Sequence, residues 1–309
     1  MEVLLDERLG NIPRYYLGEK GDRLMLVPDE VRKCVVFVCY QGKQGITLGG
    51  TAFFVSMPRE GLEGIFGYLI TAKHIIEGIK QKSTDGKVYL RINQKNKPPI
   101  LVTCDLGQWK YHPNESNVDV AALPWAPDTS IFDCLYIGAS MAATPEVITR
   151  EHIGCGDEVF LTGLFNSHYG KQNNLPIIRI GNIASMPEEP IQTKNMGAID
   201  AYLIEARSIG GLSGSPVFVQ VGGVRGYTMY AGSKFYWLGL MHGHFDLSEL
   251  ELDEVSSDTL MEVKVNMGIA IVVPVSKILE VLNQDELVKG RKQQDETDRL
   301  KRAATPDTT

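Results

Sequence analysis

Residues 210–216 have the sequence GGLSGSP, which places Ser213 in a glycine-rich turn directly before the apolar segment 217–219, VFV. A glycine-rich turn followed by a β-branched, apolar segment predicts a tight turn leading into a strand. A serine hydroxyl is a poor nucleophile near neutral pH unless a base takes its proton and a third group orients that base. If Ser213 is reactive, the chain must supply those two groups elsewhere.

Two short motifs upstream contain suitable groups. His74 ends the segment LITAKH, and Asp119 lies within the segment NVDVA. Histidine titrates in the range that a general base needs. Each motif alone is weak evidence, because histidines beside strands are usually structural and an aspartate can simply bond a nearby backbone N–H. Their occurrence together, in this order and in strand contexts, favours a catalytic interpretation.

Short apolar segments rich in β-branched residues recur along the chain, and they are too brief for helices. The first half has six predicted strands, at 35–40, 48–56, 67–71, 88–92, 100–104 and 118–123. The second half has seven, at 158–163, 177–184, 201–205, 216–220, 226–230, 237–242 and 268–273. Six strands are enough to close a small barrel, so two consecutive all-β units are predicted.

The chain divides into five predicted parts: an N-terminal arm at 1–30, a first β-barrel at 31–125, an inter-barrel linker at 126–153, a second β-barrel with a C-terminal helix at 154–289, and a disordered charged tail at 290–309. The helix is expected after Pro274, where Ser276 can cap its first turn. The tail has almost no apolar side chains, so burial cannot offset the entropy of ordering it.

Composition narrows the class of protein. A chain of 309 residues with 43% hydrophobic content can bury a sizeable core, and a net charge of -7 argues against nucleic acid or an anionic membrane as the main partner. Residues 1–8 lack a basic leader and an apolar secretory core, so we expect a cytoplasmic protein. Five cysteines without CxxC spacing are expected to be reduced thiols, and no cofactor is expected.

The order histidine, aspartate, serine across two β units resembles the trypsin-like serine peptidases, and it is closer to the bacterial and viral-type members than to the digestive enzymes. The resemblance extends from about residue 35 to residue 282. Five segments carry it: GGTAFFV at 49–55, TAKH at 71–74, DVA at 119–121, GDEV at 156–159 and GLSGSP at 211–216. It implies an all-β, chymotrypsin-like fold of two six-stranded barrels with the active site between them.

The resemblance also implies a function. The chain is expected to be a serine endopeptidase in which Ser213 attacks a peptide carbonyl, His74 acts as the base and Asp119 orients His74. The backbone N–H groups of Gly211 and Ser213 would form the oxyanion hole. Substrates would be proteins or peptides, and a regulatory protein partner that orders loops is compatible with this reaction.

Two positions concern regulation and specificity. Digestive members carry an aspartate directly before the nucleophile, where it pairs with a new N-terminus, whereas this chain has Leu212. We therefore expect activity without proteolytic release of an N-terminus. The resemblance implies a substrate pocket at Arg207, Met241, His242, Gly268 and Ala270. Arg207 would favour an acidic residue before the cut, although it could equally point to solvent or form a structural ion pair.

Two other interpretations of the function remain open. The chain could be a trypsin-like scaffold that binds proteins without turnover, although all three candidate catalytic residues are present. It could be an esterase, but GLSGS lacks the last glycine of the G-x-S-x-G elbow, and both partner residues precede the serine. His242 and His244 form an H-x-H pair, but no third ligand lies nearby in sequence, so no metal site is expected.

Overall fold

The computed structural model describes residues 27–193, 196–206, 211–225, 228–246 and 266–304. Within these ranges the predicted all-β class is confirmed, because strands from the first and second halves form two separate units. The predicted N-terminal arm lies outside the described residues up to residue 26.

The first unit is an eight-stranded sheet. Its strands are β1 (Val35–Gly42), β2 (Gly45–Pro58), β3 (Ile65–Thr71), β4 (Lys87–Gln94), β5 (Lys97–Asp105), β6 (Lys110–Tyr111), β7 (Ala121–Pro124) and β8 (Ile137–Gly138). They follow the order β5-β4-β1-β2-β3-β7-β6, and β8 pairs in parallel with β2.

This first sheet differs from the predicted six-stranded barrel. Among the described residues β5 and β6 are its edges and do not pair with each other, so the sheet is not closed by hydrogen bonds. The two additional strands, β6 and β8, are two residues long each. A segment of that length is too short to show the alternation by which strands are predicted.

The second unit contains the closed six-stranded barrel that was predicted. The strands of this second unit are β9 (Glu158–Gly163), β10 (Ile177–Ser185), β11 (Ile191–Thr193), β12 (Gly197–Ile199), β13 (Tyr202–Glu205), β14 (Pro216–Arg225), β15 (Thr228–Asp246) and β16 (Asn266–Pro274). The barrel follows the order β10-β13-β16-β15-β14-β9, whereas β11 and β12 form a separate hairpin.

Strand β15 replaces two predicted strands, at 226–230 and 237–242. Residues 231–233, between these two segments, have no register partner on β14. A register shift between Val221 and Gly223 on β14 accommodates these residues, so β14 and β15 pair on both sides of the shift.

In the described part of the chain, four α-helices accompany the sheets: α1 (Lys73–Lys82), α2 (Pro145–Arg150), α3 (Val275–Leu282) and α4 (Asp285–Ala304). The predicted helix after Pro274 is confirmed as α3, although no side chain caps its first turn. Helix α1 was not predicted. Its signal was the spacing of Ile75, Ile76 and Ile79, which are its buried residues.

The prediction of a disordered tail from residue 290 is wrong for residues 290–304, which lie in α4. The reason is a set of specific polar contacts with the first unit. The Arg59 guanidinium donates to Asp295 at 2.7 Å and to Asp298 at 2.8 Å, with the Arg59 side chain only 13% exposed. Paired charges held in a fixed geometry therefore stabilise a segment that lacks apolar surface.

The two units share an apolar core. Phe53 of β2 packs edge-on against Trp237 of β15 with ring centroids 5.6 Å apart, and both side chains are fully buried. Helix α3 contributes Ile278 to the same cluster. Because protein interiors are close-packed, this core fixes the first sheet against the second barrel and holds the cleft between them in shape.

No helix in the described ranges is both long enough and apolar enough to cross a lipid bilayer.

Candidate active site

The pairing of β3 with β7 brings His74 and Asp119 together. The two strands are antiparallel, and Thr71 at the end of β3 lies opposite Ala121 at the start of β7. In an antiparallel pair, the residues that follow one strand lie beside those that precede the other. His74, at the start of α1, therefore meets Asp119, although they are 45 residues apart in the chain.

Asp119 holds His74 by two contacts. The backbone N–H of His74 donates to Asp119 Oδ1 at 2.8 Å, and His74 Nδ1 lies 2.7 Å from Oδ2. Asp119 is 1% exposed, so its carboxylate has little contact with water. An ionised carboxylate only accepts hydrogen bonds, which places the proton of a neutral His74 ring on Nδ1 and leaves Nε2 as the basic nitrogen.

A second imidazole contacts the same carboxylate. His242 on β15 places its Nδ1 2.5 Å from Asp119 Oδ2, and its ring meets that of His74 at an interplanar angle of 81° with centroids 5.4 Å apart. The sequence analysis placed His242 in the substrate pocket and did not predict this contact. His242 and Asp119 are 123 positions apart, so no local sequence pattern could have revealed their contact.

The electrostatics of this cluster favour an ionised aspartate. Burial alone would raise the pKa of Asp119, but the charges and hydrogen bonds of His74 and His242 outweigh burial and hold that pKa well below its usual range. Burial would lower the pKa of His74, yet the charge and hydrogen bond of Asp119, helped by the charge of Glu77, raise it above its usual value. The His74 side chain is 39% exposed, which moderates this shift.

The turn that carries Ser213 is fixed against β15, the strand of His242. The Gly214 N–H donates to the Met241 carbonyl at 2.8 Å, and the Met241 N–H donates to the Ser215 carbonyl at 2.9 Å. Within the turn, the Ser215 N–H donates to the Leu212 carbonyl at 3.0 Å. The turn therefore lies directly beside the residue that precedes His242.

Two glycines make this turn possible. Gly211 has φ +102° and Gly214 has φ +82°, a region that residues with a Cβ rarely adopt. A Cβ on Gly214 would also collide with the Thr51 carbonyl and the Thr71 hydroxyl. The sequence prediction of a glycine-dependent turn is thus supported by both backbone conformation and close packing.

The first unit also contacts the turn, because the Thr51 N–H donates to the Ser213 carbonyl at 3.0 Å. The backbone N–H groups of Gly211 and Ser213 have no acceptor among the described residues. Nor does a hydrogen bond join the Ser213 hydroxyl to His74 in the described part of the chain. Hydrogen bonds between nucleophile and base are often long in free enzymes and tighten when substrate binds.

The other predicted pocket residues have different environments. Arg207 lies outside the described residues. Met241 and Ala270 are fully buried in the core of the second barrel, so their side chains pack inside it and do not face the cleft. Gly268 is half-buried with φ +81°, and its carbonyl accepts from the Ala206 N–H. Leu212, the residue before Ser213, is fully buried in the same core.

His74, Asp119 and His242 also offer a donor set that suits a metal ion, since one ligand atom from each lies within 4.8 Å of the others. The residues that could bind a metal together with His242 are therefore His74 and Asp119, which are distant in sequence. His244 of the H-x-H pair is not among them. Both Nδ1 atoms are engaged with Asp119 Oδ2, so a metal would have to displace those hydrogen bonds.

No family model matches the sequence, and no curated protein matches it. Among solved structures, Deg5 is 14% identical over 81% of this chain and 87% of its own, with a TM-score of 0.44. A thermostable serine protease from an extremophilic microorganism is 11% identical over 82% and 96%, with a TM-score of 0.41. The Drosophila Grass clip serine protease of the Toll pathway is 13% identical over 89% and 74%, with a TM-score of 0.42.

Two of these three structures are serine proteases by their printed names. At identities and TM-scores this low, the similarity carries no argument about activity or substrate. The resemblance to trypsin-like serine peptidases therefore depends on the motifs, the sheets and the site of this chain itself.

Proposed function

We propose that this protein is a serine endopeptidase that hydrolyses peptide bonds in protein substrates through an acyl-enzyme. The observation that carries the proposal is the pairing of His74 with a buried, ionised Asp119 on the first unit, to which Thr51 hydrogen-bonds the glycine-dependent turn of Ser213. A base with a fixed tautomer and a serine on such a turn are two of the groups that the chemistry of serine nucleophiles requires.

In the proposed mechanism, His74 Nε2 takes the hydroxyl proton as Ser213 Oγ attacks the carbonyl carbon of the substrate. Asp119 keeps Nδ1 protonated and stabilises the imidazolium that forms. When the C–N bond breaks, His74 gives the proton to the leaving amine. Water then repeats the sequence against the acyl-enzyme, and the acid product leaves Ser213 free.

The negative charge on the carbonyl oxygen needs donors that are not already engaged. The N–H groups of Gly211 and Ser213 meet this requirement, because neither has an acceptor among the described residues. Removing one donor of an oxyanion hole typically costs about 3 kcal/mol of barrier. Because the N–H groups of Gly211 and Ser213 are available to bind the oxyanion, they support the proposed reaction.

The burial of Leu212 supports the expectation that activity does not require a newly released N-terminus. Its side chain packs in the core of the second barrel, so apolar burial fixes this part of the turn where an ion pair would do so in digestive enzymes. We also propose regulation by a protein partner that orders loops near the active site.

A fluorophosphonate probe tests the proposal without knowledge of the natural substrate. In this reaction Ser213 Oγ forms a bond to phosphorus, fluoride leaves, and His74 takes the hydroxyl proton. We expect covalent labelling of the full chain, with mass spectrometry of its peptides placing the adduct on Ser213 and not on the neighbouring Ser215. No labelling, or labelling spread over surface hydroxyls, would favour the alternative of a trypsin-like scaffold without turnover.

His242 gives a separate prediction about stability. Replacing it with alanine removes one donor from a buried carboxylate, and a hydrogen bond to a charged group contributes about 1.5–3 kcal/mol. We expect His242→Ala to lower the free energy of unfolding by about that amount in urea titrations, and His242→Asn, which retains an N–H donor, to recover much of the loss. The exposed His168→Ala serves as the control, with an expected change within about 0.5 kcal/mol. Equal stability of His242→Ala and wild type would contradict the structural role of this contact.

A further inference from the structure

We propose that Thr51 is a positioning residue, whose side-chain hydroxyl holds the turn of Gly211 and Ser213 in the conformation that binds the oxyanion. This inference depends on the proposed peptidase function. It adds a residue of the first unit to an oxyanion hole whose two donors, Gly211 and Ser213, lie on the second.

The Thr51 hydroxyl bridges two backbone groups of the second unit. Its Oγ1 donates to the Gly211 carbonyl at 2.8 Å and accepts from the Leu164 N–H at 2.8 Å. Thr51 is fully buried, so neither contact is in competition with water. A hydroxyl has one proton to give, and here the Gly211 carbonyl receives it.

The backbone N–H and carbonyl of Thr51 also form hydrogen bonds. Its N–H donates to the Ser213 carbonyl at 3.0 Å, and its carbonyl accepts from the Thr71 hydroxyl at 2.6 Å. Thr51 therefore contacts the turn on both sides of Leu212. The Leu212 carbonyl is in turn bonded to the Ser215 N–H, so three successive carbonyls of the turn each have a defined donor.

Gly211 is the residue that needs such support. It has φ +102°, and a Cβ there would come within 2.9 Å of the Leu164 carbonyl and 2.8 Å of Asn166 Oδ1, so only glycine fits. The same freedom lets a glycine backbone rotate away from this conformation at little cost. Since Gly211 has no side chain to restrict rotation, the hydrogen bond from Thr51 to its carbonyl restricts it instead. Loss of that bond would leave the Gly211 N–H imperfectly aimed at the oxyanion.

The test compares the kinetics of fluorophosphonate labelling in four proteins: wild type, Thr51→Val, Thr51→Ser and Thr162→Val. Valine matches threonine in shape and removes the hydroxyl, whereas serine retains it. Thr162 is a matched control, because it is also fully buried on a strand but its hydroxyl has no partner among the described residues. Unfolding by urea is measured for each protein, and Thr51→Ala replaces the valine variant if the latter does not fold.

We expect Thr51→Val to lower the maximal labelling rate by about 10- to 100-fold, less than the loss of a whole oxyanion donor, with little change in the probe concentration that gives half the maximal rate. Thr51→Ser should recover most of the rate, and Thr162→Val should label like wild type. A purely structural role would instead reduce stability without this selective effect on the maximal rate. If wild type labels on Ser213 and Thr51→Val labels equally fast, the inference fails while the proposed function stands. If wild type does not label at all, the proposed function fails and the inference fails with it.

Discussion

Replacing Ser213 with alanine is expected to lower the rate of casein hydrolysis by about 10⁶-fold while leaving the fold intact. The variant keeps the backbone N–H groups and the His74–Asp119 pair, but it has no group that can form the acyl-enzyme. Ser213 is only partly buried, and its hydroxyl makes no hydrogen bond within the described residues, so stability should change little. Hydrolysis is followed with fluorescein-labelled casein, and folding is followed by circular dichroism and urea unfolding.

The control for this prediction is Ser83→Ala, which removes the hydroxyl of a partly buried serine that is bonded to Asp85 after α1. It should hydrolyse casein as wild type does. A Ser213→Ala variant with activity close to wild type would show that another group is the nucleophile. Wild-type protein that labels on Ser213 but leaves casein intact would indicate a narrower substrate preference, which a peptide library can then define.

Replacing Asp119 with asparagine is expected to lower the maximal rate by about 10⁴-fold, because a neutral amide no longer favours the protonated Nδ1 of His74 and no longer stabilises the imidazolium. The pH dependence should change as well. In wild type the pKa of His74 is raised, chiefly by Asp119 against the opposing effect of burial. The proposed mechanism requires the neutral ring, so activity is expected to be low below that pKa and to rise as the pH increases through it.

The acid limb of the wild-type profile is therefore expected above the value of about 6.5 that an unperturbed histidine would give. In Asp119→Asn the raising cause is gone while burial remains, so the limb should move to lower pH. Fluorophosphonate labelling between about pH 5 and pH 9 measures both profiles. Glu77→Gln is the graded control, since the charge of Glu77 is the smallest cause of the raised pKa and its loss should shift the limb only slightly. An unchanged limb in Asp119→Asn would contradict the assignment of His74 as the titrating base.

Local patterns were sufficient for much of the fold. Apolar strands such as β2 and β9 lie where short, apolar segments rich in β-branched residues predicted them. The same holds for α3, which follows Pro274 and repeats its buried residues at helical spacing. Helix α4 was missed because its stability comes from ion pairs with Arg59, which lies more than 200 residues earlier in the chain.

The sequence by itself determined which side chains can do the chemistry and the order in which they occur, because reactivity belongs to residue types and the glycine-dependent turn of Ser213 is encoded within a few residues. Only the tertiary structure decided how these groups meet. The register of β3 with β7 brings His74 to Asp119, the position of β15 adds His242 to the same carboxylate, and β2 brings Thr51 against the turn. These contacts join residues from 45 to 160 positions apart. Hydrogen bonds over such separations depend on strand register and close packing, which local sequence periodicity does not encode.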